Sequence, residues 1–223
     1  MEKLLTPLRR RVVSLWACAL LILLSSGSAL AHFNINVTLS NGAVNPPTTP
    51  TLVGGLPRLT SSGTATLVVD DDDFQTVDFD TAVFGIDVTG TQTPDPNDNL
   101  IAASVHAGPG VSPSTNGPLV WGFFGSTNDD TTAPTLVIQP FPDVGGFIFA
   151  SWNINEGHGT NLTEQLPFLL SGQAYIEYDT VQFPNGEIRG NIPEPSTASL
   201  LLCGVIIQIT RADGRGRRGS ASV

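Results

Sequence analysis

The sequence predicts an all-β fold, a single domain built as an antiparallel β-sandwich. Three observations carry this. Apolar and polar residues alternate in several short runs, the period of two that places every second side chain on one face of a strand. Turn-forming residues separate those runs, with 23 Gly and 17 Pro among 223 residues. Helical patterns rich in Leu, Glu and Lys are scarce between the two ends of the chain, and seven to nine short strands with turn signals between them suit a sandwich or a barrel.

The first strand is read in "HFNINVTL", where Phe33, Ile35, Val37 and Leu39 alternate with Asn34, Asn36 and Thr38. "SNGAVNPPTTPTLVGGLP" is turn and loop chemistry. "GTATLVVDDDD" is a strand running into an acidic turn, and "FQTVDFDTAVFGIDVTG" resumes the alternation, with Val77 and Phe79 on one face and Phe84, Ile86 and Val88 as a later apolar row. "TPDPNDN" is a loop. Strands follow in "LIAASVHAG", "PLVWGFFG", "TLVIQPF" and "GGFIFASWNI". "LTEQLPFLLSG" is the one stretch that reads as a short helical turn, ending at Gly172. "QAYIEYDTVQFPNGEIRGNI" reads as two strands joined by a Pro-Asn-Gly turn, in which Asn185 and Gly186 both tolerate positive φ.

The two ends differ from the middle. Residues 1–31 run from a basic start (Lys3, Arg9, Arg10, Arg11) through an apolar stretch to Ala29-Leu30-Ala31, the order of a cleaved secretory signal. Cleavage there would make His32 the first mature residue. The apolar run is shorter than the ~20 residues a spanning helix needs. The two cysteines, Cys18 and Cys203, lie in the end segments, so the predicted domain (32–192) has none and must rely on its core rather than on disulfides.

Charge divides in the same way. Between His32 and Ile192 lie two cations, Arg58 and Arg189, and seventeen carboxylates, a net of −15. Such a surface repels nucleic acid and anionic lipid, so no nucleic-acid partner is expected; it would attract divalent cations or basic partners, or serve simply to keep the domain soluble. The span has no Lys, no Cys, no G-x-S-x-G and no phosphate-binding loop, so the prediction is a protein that is not an enzyme.

In "FPNGEIRG", Glu187 and Arg189 are expected on one strand face and Ile188 on the other. Arg189 is a candidate to hold a carboxylate bidentately and pin the hairpin, and Gly190 to admit a close backbone. "AASVHAGPG…NGPLVWGF" together with "LLSGQAYIEYDTVQFPNGEIRG" resembles the CHRD domain, the family named for chordin. The resemblance spans roughly Phe33 to Ile192 and makes His106, Gly186, Glu187, Arg189 and Gly190 family-motif residues with structural roles. It implies an extracellular sandwich of Ig-like, CHRD-like layout. In chordin such domains belong to a secreted growth-factor-binding protein, a partner that does not carry over. A position that is usually His in the family is Asp179 here.

Metal binding (copper, zinc or calcium) is the alternative function. His106 with Asp179, or with His32 as a mature N-terminus, would give a mixed nitrogen and oxygen ligand set. His106 could equally shape its loop by bonding a carbonyl. Asp95, Asn97 and Asn99 alternate as calcium-loop ligands do, and Asp70 to Asp73 form a second acidic cluster. Both also read as solvated loops. Otherwise no cofactor is expected.

After the domain, Pro193-Glu194-Pro195 precedes an apolar run and an arginine-rich end, Arg211 to Arg218. Residues 193–218 resemble the PEP-CTERM sorting signal of bacterial exported proteins. That resemblance implies an exosortase as partner, transient anchoring in the inner membrane, and delivery to the cell surface or the extracellular space. The function expected from all of this is an exported bacterial surface or matrix protein. Its role would be non-enzymatic binding, adhesion or structure, toward an extracellular partner or polysaccharide.

Overall fold

The computed structural model describes residues 33–70 and 74–195. The predicted leader (1–31), His32, Asp71 to Asp73 and the tail beyond Pro195 lie outside the described residues. Nine strands alternate along the chain: β1 (Phe33–Ser40), β2 (Ser62–Val69), β3 (Thr76–Phe84), β4 (Leu100–Ala107), β5 (Leu119–Phe124), β6 (Val137–Pro140), β7 (Gly145–Asn153), β8 (Ala174–Thr180) and β9 (Ile188–Asn191). One helix, α1 (Leu162–Leu170), precedes β8. Asn161 caps it by accepting from the Glu164 amide, and Gly172 turns the chain out of it at φ 72°. Each stretch read as a strand in the sequence contains one, but β3 stops at Phe84: Gly85 (φ 77°) turns the chain there, and Ile86 and Val88 are buried from the loop that follows.

The strands make a single nine-stranded sheet in the order β5-β4-β8-β9-β1-β2-β3-β7-β6. Every strand pairing in it is antiparallel. The sheet curls so that its two wings pack face to face. Phe79 of β3 meets Trp121 of β5 with ring centroids 5.3 Å apart, and Trp121 stacks on Trp152 of β7 at 5.3 Å. Phe123 and Tyr178 close the same aromatic core. The two layers of the predicted sandwich are thus the ends of one curled sheet. The longest pairing, β3 with β7, runs in unbroken register over nine residue pairs, and β1 with β2 and β2 with β3 over eight each.

The wings join where β9 meets β1, and the ladder there is one pair, Ser40 with Arg189. Side chains reinforce it: Asn41 Nδ2 and Thr48 Oγ1 donate to the Glu187 carbonyl at 2.9 and 2.8 Å. Gly190 makes the approach feasible. A Cβ at that position would lie inside the Val37 side chain and 2.9 Å from the Thr38 carbonyl oxygen.

One local expectation is corrected. Among the described non-glycine residues the left-handed region holds Phe74 alone, so Asn185 does not share positive φ with Gly186 (φ 104°). The β8–β9 connection is a longer loop, closed by the Thr180 amide on the Phe183 carbonyl at 3.1 Å and the Glu187 amide on the Tyr178 carbonyl at 2.8 Å. Gly186 itself lies against the Glu177 carboxyl, where a Cβ has no room.

Replacing Gly190 by Ala is expected to destabilise the domain by about 1–3 kcal/mol, the usual cost of forcing extra volume into a packed junction. Urea unfolding of the two proteins measures it, and an unchanged midpoint would contradict the close approach of β9 to β1.

Candidate functional site

On the outer face of the β5-β4-β8 wing lies a cleft of about 350 Å³. Strand alternation builds it. On β8, Ile176, Tyr178 and Thr180 turn to the core, so Tyr175, Glu177 and Asp179 share the opposite face. On β4, Ser104 and His106 face the same way beside them, in register with Glu177 and Tyr175. The loop through Asn116 and Gly117 and the loop through Pro184 and Asn185 form its rims.

His106 is held at both nitrogens. Nδ1 lies 2.9 Å from the Gly117 carbonyl, which can only accept, so Nδ1 carries the proton and Nε2 offers a lone pair. Ser104 Oγ donates to Nε2 at 3.1 Å, and a Glu177 carboxyl oxygen lies 3.6 Å away. The ring stacks on Tyr175 at 4.7 Å and 4°. Burial pushes the imidazole below its usual pKa, with Arg189 pushing the same way against the Gly117 bond.

Glu177 is 8% exposed, yet its carboxyl makes no hydrogen bond within the described residues. Burial pushes it up to about 8; the Asp179 charge adds to that push and Arg189 partly opposes it. Burial likewise lifts Asp179 to about 7, offset in part by the Gly186 backbone, and Asp179 Oδ1 is buried without a partner.

Arg189 does not hold a carboxylate, which corrects the sequence expectation. It is fully buried, with its guanidinium carbon 3.5 Å from the Tyr175 ring centroid. It donates to Asn116 Oδ1 at 2.8 Å, to the Ser112 carbonyl at 2.7 Å and to Asn191 Oδ1 at 2.9 Å. Glu187 is equally buried but faces elsewhere. It takes Arg58 at 2.8 Å, Thr180 Oγ1 at 2.6 Å and Ser61 Oγ. The two charges of the "EIR" motif therefore serve two different junctions. Arg189 fastens the 112–117 rim, and Glu187 with Arg58 fastens the 50–61 loop.

Of the residues predicted as metal ligands, His106 and Asp179 do line one cleft, but the carboxylate beside the imidazole is Glu177. His32 lies outside the described residues. Asp95 and Asn97 are drawn into a turn: Asp95 Oδ1 accepts from the Asn97 amide at 3.1 Å, and Asn97 Nδ2 donates to the Thr51 carbonyl at 3.0 Å. Among the described residues no group of three or more His, Cys, Asp or Glu is arranged to hold a metal ion. Pro193 and Glu194 are exposed, directly after the buried Ile192. Among the described residues no helix is long and apolar enough to cross a membrane.

Fold and site together define an all-β domain with a half-open, carboxyl-lined cleft on one wing. The CHRD domain model matches residues 35–192, well over half of the chain, and the chain belongs to the CHRD domain family. No curated protein and no solved structure matches it.

Two outcomes are expected. Arg189→Ala removes a fully buried side chain and its charge-assisted bonds to the Ser112 carbonyl and Asn116 Oδ1, each worth about 1.5–3 kcal/mol, so urea unfolding should show a loss of roughly 3 kcal/mol or more. A loss below ~1 kcal/mol would contradict its role. For Glu177, the folded state holds the proton more tightly than the unfolded chain does. The stability resting on its neutral form is complete below the ordinary carboxylate range and is lost as pH rises through about 8. Glu177→Gln stays neutral throughout. The difference between variant and wild type should therefore be flat below about pH 4 and should grow in favour of Gln up to about pH 8, by at most ~1.4 kcal/mol per pH unit. A difference that stays flat across that range would contradict the buried, unpaired carboxyl.

Proposed function

We propose that this chain is an exported bacterial surface or extracellular-matrix protein whose CHRD domain binds an extracellular partner without catalysing a reaction. Residues 1–31 act as a cleaved leader. Residues 193–218 act as a sorting signal read by an exosortase, with the chain held transiently in the inner membrane. The observation that carries the binding role is the outer face of β8, where Glu177, at 8% exposure, and Asp179, whose Oδ1 is buried without a partner, line one cleft. Folding bears a cost for that arrangement, which a ligand would relieve.

The Ser104–His106 contact invites an enzymatic reading, and the chemistry disfavours it. Ser104 is 3% exposed, and an imidazole held below its usual pKa is a weaker base than nucleophile activation calls for. Surface display is supported by the leader-like start, the exposed Pro193 and Glu194, and the strongly anionic domain.

The test follows the full chain in producing cells. The account expects a mature N-terminus at His32 and accessibility to protease added outside the cells. Changing Pro193, Glu194 and Pro195 together to Ala should leave uncleaved chain in the membrane fraction. The double variant Glu177→Gln, Asp179→Asn should be exported and sorted normally yet be retained less at the surface. A chain that stays cytoplasmic with Met1 intact would overturn the export reading, and undiminished retention of the double variant would overturn the cleft as its binding site.

A further inference from the structure

The functional groups of the cleft are unusually one-sided. Glu177 and Asp179 present carboxyl oxygens from β8, and Ser104 Oγ, whose proton goes to His106 Nε2, keeps its lone pairs on β4. The Gly117 carbonyl is already taken by Nδ1. The donors at the floor are committed, while the Ser126, Thr127 and Asn185 side chains add donors only from the more exposed lining. Arg189 gives its N–H groups to the rim loop and Asn191, and Ser104 Oγ donates to Nε2. A floor of acceptors with few donors selects a ligand whose head has donors and no acceptor. Among biological groups that describes an ammonium, with three N–H bonds and no lone pair.

The geometry points to the cleft as a receptor for a primary alkylammonium, of the kind a lysine side chain carries on a partner protein. This deepens the binding role proposed above and rests on the cleft being that site. The shape favours a slender stem. Leu119, Phe124 and Pro184 supply apolar wall between the mouth and the carboxyls, suited to a chain of methylenes behind a charged head. Glu177 lies deep, at 8% exposure, where an amine carried directly on a sugar ring would be held back by the ring. A guanidinium would match a planar pair of oxygens from one carboxylate, whereas these acceptors come from two strands, β4 and β8. A metal ion would need ligands converging at about 2.0–2.6 Å, and no such group occurs among the described residues. An ammonium bonds at about 2.8 Å and tolerates a bridging water.

The surroundings agree. Among the described residues, the cations are Arg58 and Arg189, and neither occupies the cleft floor: Arg58 is paired with Glu187 and Arg189 with the rim. Excess negative charge on the domain would draw a basic partner toward it. The groups facing an incoming ammonium are Glu177, Asp179 and His106, with Tyr175 stacked behind the imidazole and Arg189 over the Tyr175 ring. An ammonium favours the ionised carboxylates, so binding near neutral pH should expel a proton to solvent. No covalent step is involved.

The test is isothermal titration calorimetry on the exported chain purified from producing cells, with Nα-acetyl-lysine amide as probe. Expected is saturable binding that releases about one proton at pH 7, measured by comparing buffers of different ionisation enthalpy. Affinity should tighten about tenfold from pH 6 to pH 7 and level off above pH 8. Nα-acetyl-norleucine amide, which keeps the stem and lacks the charge, should not bind. Glu177→Gln with Asp179→Asn should weaken the lysine probe at least tenfold and remove its pH dependence, with circular dichroism showing the fold retained. Glu177→Asp serves as a second variant and should weaken binding by shortening the reach while keeping proton release. Absence of lysine-probe binding, binding without proton release, or preferential binding of glucosamine, methylguanidinium or calcium would each overturn the inference. If surface retention still depends on Glu177 and Asp179 while no ammonium binds, the ammonium assignment fails and the cleft keeps its binding role.

Discussion

A buried guanidinium with no carboxylate bound to it organises one wing of this domain. Arg189 lies on β9 directly across from Glu177 on β8, the placement from which a cross-strand ion pair would ordinarily form. Instead its N–H groups reach the far side, to the Ser112 carbonyl and the Asn116 and Asn191 side chains, and Tyr175 covers its face. A desolvated cation needs such partners, and carbonyl and amide oxygens supply them without neutralising a charge elsewhere. Two consequences follow. The 112–117 loop is fastened over β9 and becomes a rim, and Glu177 is left beside a neutral imidazole with no counter-ion of its own.

The second arginine closes the remaining route to compensation. Arg58 and Glu187 form a buried pair that ties the 50–61 loop to the start of β9, with Thr180 and Ser61 completing the carboxylate's bonds. With both arginines committed to structure, the carboxyls on the outer face of β8 meet their desolvation in the one remaining way, by keeping protons at a pH where exposed carboxyls have lost them. The same chain of contacts thus runs from loop anchoring through strand pairing to the electrostatics of the cleft. Stability and site are coupled because β8 pairs with β4 on one side and, on the other, with β9, the strand that joins the two wings.

Much of the fold was legible in the sequence because it rests on local signals. The alternation in "NINVTL" or "TVDFD" identifies strands whatever they pair with, and Asn161 and Gly172 bracket α1 by capping chemistry. The curl of one sheet into two layers was not legible, because it depends on the single-pair contact of β9 with β1 and on Gly190. The site was half visible. His106 and Asp179 were singled out, whereas Glu177 was passed over although Tyr175, Glu177 and Asp179 sit at alternating positions of one strand. That spacing was the available signal. What it could not reveal was which carboxyl would lie beside the imidazole, since the register of β4 against β8 decides that. Arg189 was recognised as an anchor but assigned the wrong partner, because the loop it holds lies more than seventy residues away in sequence.

The central claim is that Glu177 is a buried carboxyl without a counter-ion, and its own titration tests that most directly. The measurement is the side-chain carboxyl ¹³C shift of Glu177 followed by NMR from pH 3 to pH 10 in the ligand-free protein, assigned by comparison with Glu177→Gln. The account predicts a midpoint near 8, shared in part with Asp179 because the two sites interact. A midpoint in the ordinary carboxylate range, near 4.5, would mean that Glu177 has an unseen partner or open access to water, and would contradict the account.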